Sequence, residues 1–186
     1  MVNQQKGWMM TADRLSTAIL EDLDTFVLEN AKAWMASGRI KRNSFGVEIL
    51  VAPLPGNDFG DAKRYYFGNT ADDAIHDSAW YRENAGGKND ICLETGLDSL
   101  VAVRLYPGLI RQIDGAFPWG GAIIDAVYGL IIGTSGFKED EDILFSQTIR
   151  NYLVMLLNRE GEVAVASARE RGEQTGAAGA NRFISL

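Results

Sequence analysis

The chain has 186 residues, of which 46% are apolar and 23% charged. This length and balance are typical of one compact domain that folds without disulfides or a structural metal. A single cysteine, Cys92, excludes an internal disulfide and favours a reducing, cytoplasmic location. The formal charge of −7 disfavours nucleic acid as a partner, and a single histidine excludes sites that need several imidazoles.

The domain boundaries are predicted from the composition of the two ends. The first ten residues contain one lysine and no apolar stretch of the kind found in secretory signals. No apolar run approaches the ~18 residues that a membrane-spanning helix requires, so no membrane partner is expected. Residues 1–15 are interpreted as an N-terminal extension and residues 16–160 as a single domain. Residues 161–186 are interpreted as a flexible tail, since glycine, alanine and charge mix there without periodicity.

The predicted elements alternate helices with pairs of strands. Spacing of apolar residues and turn chemistry place helices over 19–35, 70–80, 91–103 and 139–157, and strands over 46–52, 64–67, 122–125 and 128–134. The order is therefore α-β-β-α-α-β-β-α. Short links between neighbouring strands favour an α/β (α+β) fold in which an antiparallel sheet is flanked by helices.

A metal site is one interpretation of the acidic stretch before residue 80. On a helix, Asp73, His76 and Asp77 share a face that could hold a divalent cation. Carboxylates at the beginning of a helix also complement the helix dipole, and they favour a charged imidazolium, which is a poor ligand. We therefore prefer a solvated helix face, and a metal-dependent enzyme through these residues is the alternative.

Neighbouring residues argue against a catalytic nucleophile at Cys92 or Ser135 and against a phosphate-binding loop. Cys92 between Ile91 and Leu93 is typical of a small buried apolar side chain. Ser135 lacks the glycine that a nucleophile elbow requires two positions later, because residue 137 is phenylalanine. Carboxylates fill residues 139–142 after the glycines, so helix capping is a better interpretation than phosphate binding.

The segment Gly115–Gly121 is the most unusual stretch of the sequence. Pro118 forces Phe117 towards extended geometry, and Phe117 and Trp119 stand between glycines. Such aromatic side chains either pack in a core or subunit contact, or stack on a flat ligand. Both interpretations stay open on the residues alone.

Three motifs resemble the haem-degrading-domain superfamily, which includes GlcG/HbpS-like proteins, the PduO C-terminal domain and the uncharacterised UPF0303 family. They are the turn Gly115–Pro118, the glycine-rich strand Tyr128–Gly136, and Asp142 shortly after it. Two further segments, Asp77–Trp80 and Leu97–Leu100, are similar to the UPF0303 branch. The resemblance implies a profilin-like fold, homo-oligomers and, in some relatives, a bound haem or corrinoid. Ile113 and Asp114 stand where UPF0303-like members have His-Gly, so no role of that histidine carries over.

The resemblance leads to two hypotheses of function. The first is an oligomeric, non-enzymatic module that binds haem or another tetrapyrrole, with an arginine meeting a ligand carboxylate. Its candidate contacts are Phe117, Pro118, Trp119, Thr134, Ser135, Gly136, Arg104 and Arg111. The second is a homo-oligomeric scaffold in which the Phe117–Trp119 loop packs against a neighbouring subunit.

Overall fold

The structure is a computed structural model that describes residues 14–37, 44–56, 58–70 and 77–170. In chain order the elements are α1 (Thr17–Ala36), β1 (Ser44–Val51), β2 (Lys63–Thr70), α2 (Ser78–Thr95), α3 (Ser99–Leu105), α4 (Pro107–Ile110), β3 (Ala122–Asp125), β4 (Leu130–Ser135) and α5 (Glu139–Glu170). The predicted antiparallel sheet flanked by helices is confirmed. The short helix α4 is an addition to the predicted order.

Within the described residues the strands form one antiparallel sheet in the order β2-β1-β4-β3. The central strands β1 and β4 pair so that Ile49 lies opposite Ile132 and Val51 opposite Leu130. Both central strands are buried along their full length. This explains why their sequences are almost continuously apolar rather than alternating.

The main hydrophobic core lies between one face of the sheet and the helices α1 and α5. Residues spaced three or four apart on each helix supply its buried side: Ile19, Leu23, Val27 and Ala31 from α1, and Phe145, Ile149, Leu153 and Leu156 from α5. The rings of Phe26 and Tyr152 stack between the two helices with centroids 3.8 Å apart. Ser16 caps α1 by accepting the N–H of Ile19.

Helix α2 covers the other face of the sheet, and glycines allow it to lie unusually close. A Cβ atom on Gly46 of β1 would lie 2.2 Å from the backbone nitrogen of Arg82. A Cβ atom on Gly133 of β4 would lie 2.5 Å from the carbonyl oxygen of Ala85. The helix backbone therefore rests directly on the two central strands, with no layer of side chains at these points.

The predicted boundaries of the middle helices were wrong. Strand β2 extends to Thr70, where a helix was predicted to begin, and residues 81–90, which separated the two predicted helices, lie inside α2. The polar residues and glycines of this stretch are typical of a loop. In the structure, Gly86 and Gly87 instead allow neighbouring residues to pack closely on the helix. The helix ends instead at Gly96, which takes a left-handed conformation with φ of 65°.

The segment before α1 is fastened to the sheet. Leu15 is buried in the core, and the Arg14 guanidinium donates to the carbonyl oxygens of Ala52 and Tyr128 at 2.8 and 2.7 Å. Burial lowers the pKa of Arg14. At the other end α5 continues to Glu170, beyond the predicted end at residue 157. In the part of the chain that the structure describes, no helix combines the length and apolar character needed to cross a membrane.

Candidate functional site

The segment Gly115–Gly121, called the aromatic loop below, follows α4 and leads into β3. It packs on the middle of α2. A Cβ atom on Gly87 of α2 would lie 2.4 Å from the carbonyl oxygen of Gly115 and 2.8 Å from the nitrogen of Phe117. The N–H of Trp119 donates to the carbonyl oxygen of Phe117 at 2.7 Å, which makes a tight turn around Pro118. The sequence Gly115–Pro118 thus forms a compact turn that α2 accommodates because it carries a glycine there.

A buried ion pair lies beneath this loop. The ammonium of Lys88 in α2 is 2.7 Å from Oδ2 of Asp142 in α5, and it also donates to the carbonyl oxygen of Thr134 at 2.7 Å. The centroid of the Phe117 ring lies 5.8 Å from the same ammonium, within the range of a cation–π contact. Phe117 therefore covers a charge held inside the protein.

Hydrogen bonds extend this polar centre to the neighbouring backbone. The hydroxyls of Thr134 and Ser146 lie 2.7 Å apart, and Ser146 donates to the carbonyl oxygen of Gly121 at 2.6 Å. Gly121 has a φ of 133°, and a Cβ atom there would lie 2.6 Å from the ammonium of Lys88. The network ties α2, β4, α5 and the end of the aromatic loop together.

The carboxylates at the beginning of α5 bind backbone N–H groups, as the capping interpretation predicted. Asp142 accepts the N–H of Phe137, Glu141 that of Lys138, and Glu139 that of Gly120. Asp142 serves both this turn and Lys88. The N–H groups of Phe137 and Lys138, in the turn before α5, are therefore paired with carboxylates of the helix.

The predicted loop contacts differ in their access to solvent. Trp119 is 55% exposed, Pro118 is exposed and Phe117 is half-buried. Trp80 at the beginning of α2 is also exposed, and its ring meets the edge of Phe117 with centroids 6.5 Å apart. Two exposed tryptophans thus belong to or contact the loop, while its Phe117 ring is half-buried over Lys88.

The predicted strand-end residues Thr134, Ser135 and Gly136 are buried. The Lys88 ammonium contacts both the carbonyl oxygen of Thr134 and the ring of Phe117. Ser135 pairs with Gly46 in the sheet, and Gly136 packs on Phe45. The structure thus brings Thr134 close to the aromatic loop through Lys88, and it turns Ser135 and Gly136 towards β1.

The two predicted arginines lie on the helices before the loop. Arg104 in the last turn of α3 and Arg111 at the end of α4 are both exposed. Exposed apolar side chains stand beside them on the same two helices and their junction: Val101, Leu105, Tyr106 and Leu109. This combination makes a surface that is apolar and cationic on a chain of net negative charge.

The predicted metal ligands are not assembled by the described part of the structure. Asp73 and His76 lie outside the described residues. Asp77 is the N-cap of α2, and its Oδ1 accepts the N–H of Trp80 at 2.9 Å. Within the described ranges no group of three acidic, histidine or cysteine side chains is placed to hold a metal ion. Cys92 is buried as predicted, and burial raises the pKa of its thiol.

A second polar cluster between α2 and the sheet was not predicted. Glu48, buried in the middle of β1, accepts from Arg64 at 2.8 Å and from the amide of Asn89 at 3.0 Å. Arg64 also donates to Asp90 at 3.0 Å. Lys88, Asn89 and Asp90 are consecutive, so one polar stretch of α2 supplies both clusters. The sequence signal for these clusters was weak: it was a polar stretch, Lys88–Asp90, placed between the glycines before it and the apolar residues after it.

Comparison with known proteins extends the description of the fold. No protein-family model matches the sequence, and no curated protein matches it. Among solved structures, ORFY of Klebsiella pneumoniae, a DUF336 protein, superposes with a TM-score of 0.49 at 14% identity, over 75% of this chain and 90% of that one. PduOC, solved in complex with haem, superposes with a TM-score of 0.50 at 20% identity, over 74% of this chain and 94% of that one. The chain therefore has the α+β fold of PduOC, and nothing in the likeness singles out the UPF0303 branch.

Proposed function

We propose that the chain is a member of the GlcG/PduO-like superfamily and binds a tetrapyrrole, with haem as the first ligand to test. The observation that carries the proposal is the aromatic loop, with exposed Trp119 and with Phe117 held between Trp80 and the Lys88 ammonium. The shared fold supports it, since PduOC was solved in complex with haem. The short motifs at Gly115–Pro118 and Tyr128–Gly136 support it independently.

The residues of the chain fit a tetrapyrrole in two respects. Flat aromatic faces suit a macrocycle, and the exposed guanidinium groups of Arg104 and Arg111 suit its carboxylates. His76, the one imidazole of the chain, lies outside the described residues. Bound haem would supply a redox-active iron and a Soret absorption band.

The test is an absorption titration of the purified chain with hemin. We expect a saturable Soret shift at low-micromolar concentration with about one equivalent per chain. Trp119→Ala should weaken binding about fivefold, since loss of aromatic stacking costs about 1 kcal/mol. Leu54→Ala, at an exposed apolar position of the β1–β2 connection, is the control and should bind as the wild type does. A linear, non-saturating response overturns the proposal.

The homo-oligomeric scaffold is the second candidate, favoured by the same exposed Trp119. Sedimentation of the Trp119→Ala variant separates the two. A fall in mass without a change in hemin affinity supports subunit contact through the loop. A fall in hemin affinity at constant mass supports the ligand site.

A further inference from the structure

The two outer edges of the sheet, β3 and β2, differ in whether their outward backbone groups are hydrogen-bonded to another element. On the β3 edge, the hydroxyl of Ser99 accepts the N–H of Ala122 at 2.9 Å and donates to its carbonyl oxygen at 3.2 Å. Asp98 accepts the N–H of Ile124 at 2.9 Å. The beginning of α3 therefore closes this edge by supplying the hydrogen bonds that another strand would make.

The outward backbone groups of β2 can be assigned from the register. The N–H of Ala52 donates to the carbonyl oxygen of Gly129, in register with the β1–β4 pairs. Hydrogen-bonding direction alternates along a strand, so even-numbered residues of β1 bond to β4 and odd-numbered residues bond to β2. The β1–β2 register pairs odd with odd, as in Val47 with Phe67. Even-numbered residues of β2 consequently direct their N–H and carbonyl groups away from the sheet.

These outward groups belong to Arg64, Tyr66, Gly68 and, at the end of the strand, Thr70. No backbone hydrogen bond joins them to another element among the described residues. Exposed edges are normally defended by proline, bulges or charges that point along the edge. β2 has eight residues without proline, and its charged residues are confined to its beginning: Lys63 is the first residue, and the Arg64 side chain is turned onto the α2 face, where it binds Glu48 and Asp90. Tyr66, at the middle, is 51% exposed.

We propose that β2 is a dimerisation edge, at which β2 of a second copy adds antiparallel about a two-fold axis at Tyr66. The sequence of β2 is self-complementary in that register. Tyr66 lies opposite Tyr66 of the partner subunit, and Tyr65 lies opposite Phe67 of the partner subunit, so aromatic residues pair with aromatic residues across the join. Arg64 lies opposite Gly68 of the partner subunit, which keeps like charges apart. A two-fold axis at Arg64 would instead place two guanidinium groups opposite each other. The dimer would have one continuous sheet running through both copies.

Cysteine cross-linking of the full chain tests the register. Tyr66→Cys places one thiol on the proposed axis, where it meets its own copy, and the native Cys92 is buried and does not compete. Mild oxidation should convert most of this variant to a covalent dimer. Tyr106→Cys is the matched control, because Tyr106 is 49% exposed but lies between α3 and α4. Equal cross-linking of both variants, or of neither, overturns the proposal.

Sedimentation equilibrium and hydrogen exchange give independent measurements. The wild type should show a concentration-dependent dimer, and Tyr66→Lys should raise its dissociation constant at least tenfold by placing two ammonium groups across the axis. Tyr106→Lys should not. If Tyr66→Lys fails to fold, hydrogen exchange of the wild type decides: the amides of Arg64, Tyr66 and Gly68 should become protected as concentration rises. A monomer at all concentrations, or protection at these amides caused by a different protein or peptide, contradicts self-association.

Discussion

The ammonium of Lys88 lies 2.7 Å from Oδ2 of Asp142, and the two side chains are 1% and 5% exposed. Removing two charges from water is expensive, and their attraction offsets this cost only when further hydrogen bonds complete the site. Here the carbonyl oxygen of Thr134 and the N–H of Phe137 supply such bonds. The pair therefore fixes the relative positions of α2, β4 and α5 beneath the aromatic loop.

Lys88→Met should destabilise the protein by about 3–5 kcal/mol, because Asp142 is left as an uncompensated buried charge. Urea unfolding measures this. Asp90→Asn is the control: its ion pair with Arg64 is about one-third exposed on each side, so its loss should cost less than ~1 kcal/mol. The double variant Lys88→Met/Asp142→Leu should be more stable than Lys88→Met. Similar stability of Lys88→Met and the wild type would show that the pair contributes little.

Gly46→Ala should destabilise the protein by roughly 3 kcal/mol, since the new methyl group would overlap the backbone of Arg82 and push α2 from the sheet. Gly108→Ala is the matched control in α4, where a Cβ atom meets nothing within 4 Å. It should be neutral or stabilising by up to ~1 kcal/mol, because alanine is the better helix former. Thermal and urea unfolding of both variants make the comparison. Equal stability of the two would refute the close approach of α2.

Stability should fall more steeply above about pH 8.5 in the wild type than in Cys92→Ala. Burial raises the pKa of the Cys92 thiol, with a smaller contribution from the charge of Asp98. The unfolded chain then releases its thiol proton at a lower pH than the folded chain does. The stabilisation is present in full below the unfolded pKa and is lost as pH rises towards the folded pKa. The slopes should differ by about 1.4 kcal/mol per pH unit.

Urea unfolding from pH 7 to 10 under reducing conditions measures those slopes. Comparing slopes removes the constant cost of the cavity left by the alanine substitution. Parallel pH profiles for the two proteins would mean that the thiol is accessible to water. Rapid reaction of folded wild type with a thiol reagent would lead to the same conclusion.

Ser99→Ala should cost about 1–3 kcal/mol, because the buried N–H of Ala122 loses its partner. The effect should be local as well, with faster hydrogen exchange at Ala122. Ser37→Ala removes an exposed hydroxyl at the end of α1 and serves as the control, with a change within ~0.5 kcal/mol. Unchanged exchange at Ala122 would indicate that α3 does not close the β3 edge.

The sequence was informative wherever burial leaves a periodic pattern. The apolar stripe of α5 and the β-branched run of β1 predicted those elements within a few residues at their beginnings. Helix α2 gave no such pattern, because its buried residues mix small and polar residues, such as Gly86, Gly87 and Asn89, with a few large apolar ones. Lys88 was missed for a related reason. A buried lysine cannot be distinguished from a surface lysine until the distant Asp142 is brought beside it by folding.

The candidate site was predicted in part. Phe117, Pro118 and Trp119 stood out because proline and glycine restrict the backbone around two aromatic residues, and the structure places them in one tight turn. Their relation to Lys88 and Trp80 depends on tertiary packing and has no local signal. Whether these residues bind a ligand is a prediction that the hemin titration tests.

The glycine contact between α2 and the aromatic loop has a mechanical consequence. At Gly87 the helix meets Gly115 and Phe117, and at Gly46 the sheet meets Arg82 of the same helix, in both places backbone against backbone or nearly so. Contacts of this kind contain no rotamers that could absorb a small movement. A displacement of Phe117 would therefore press directly on the backbone of α2, which itself rests on the backbone of the central strands.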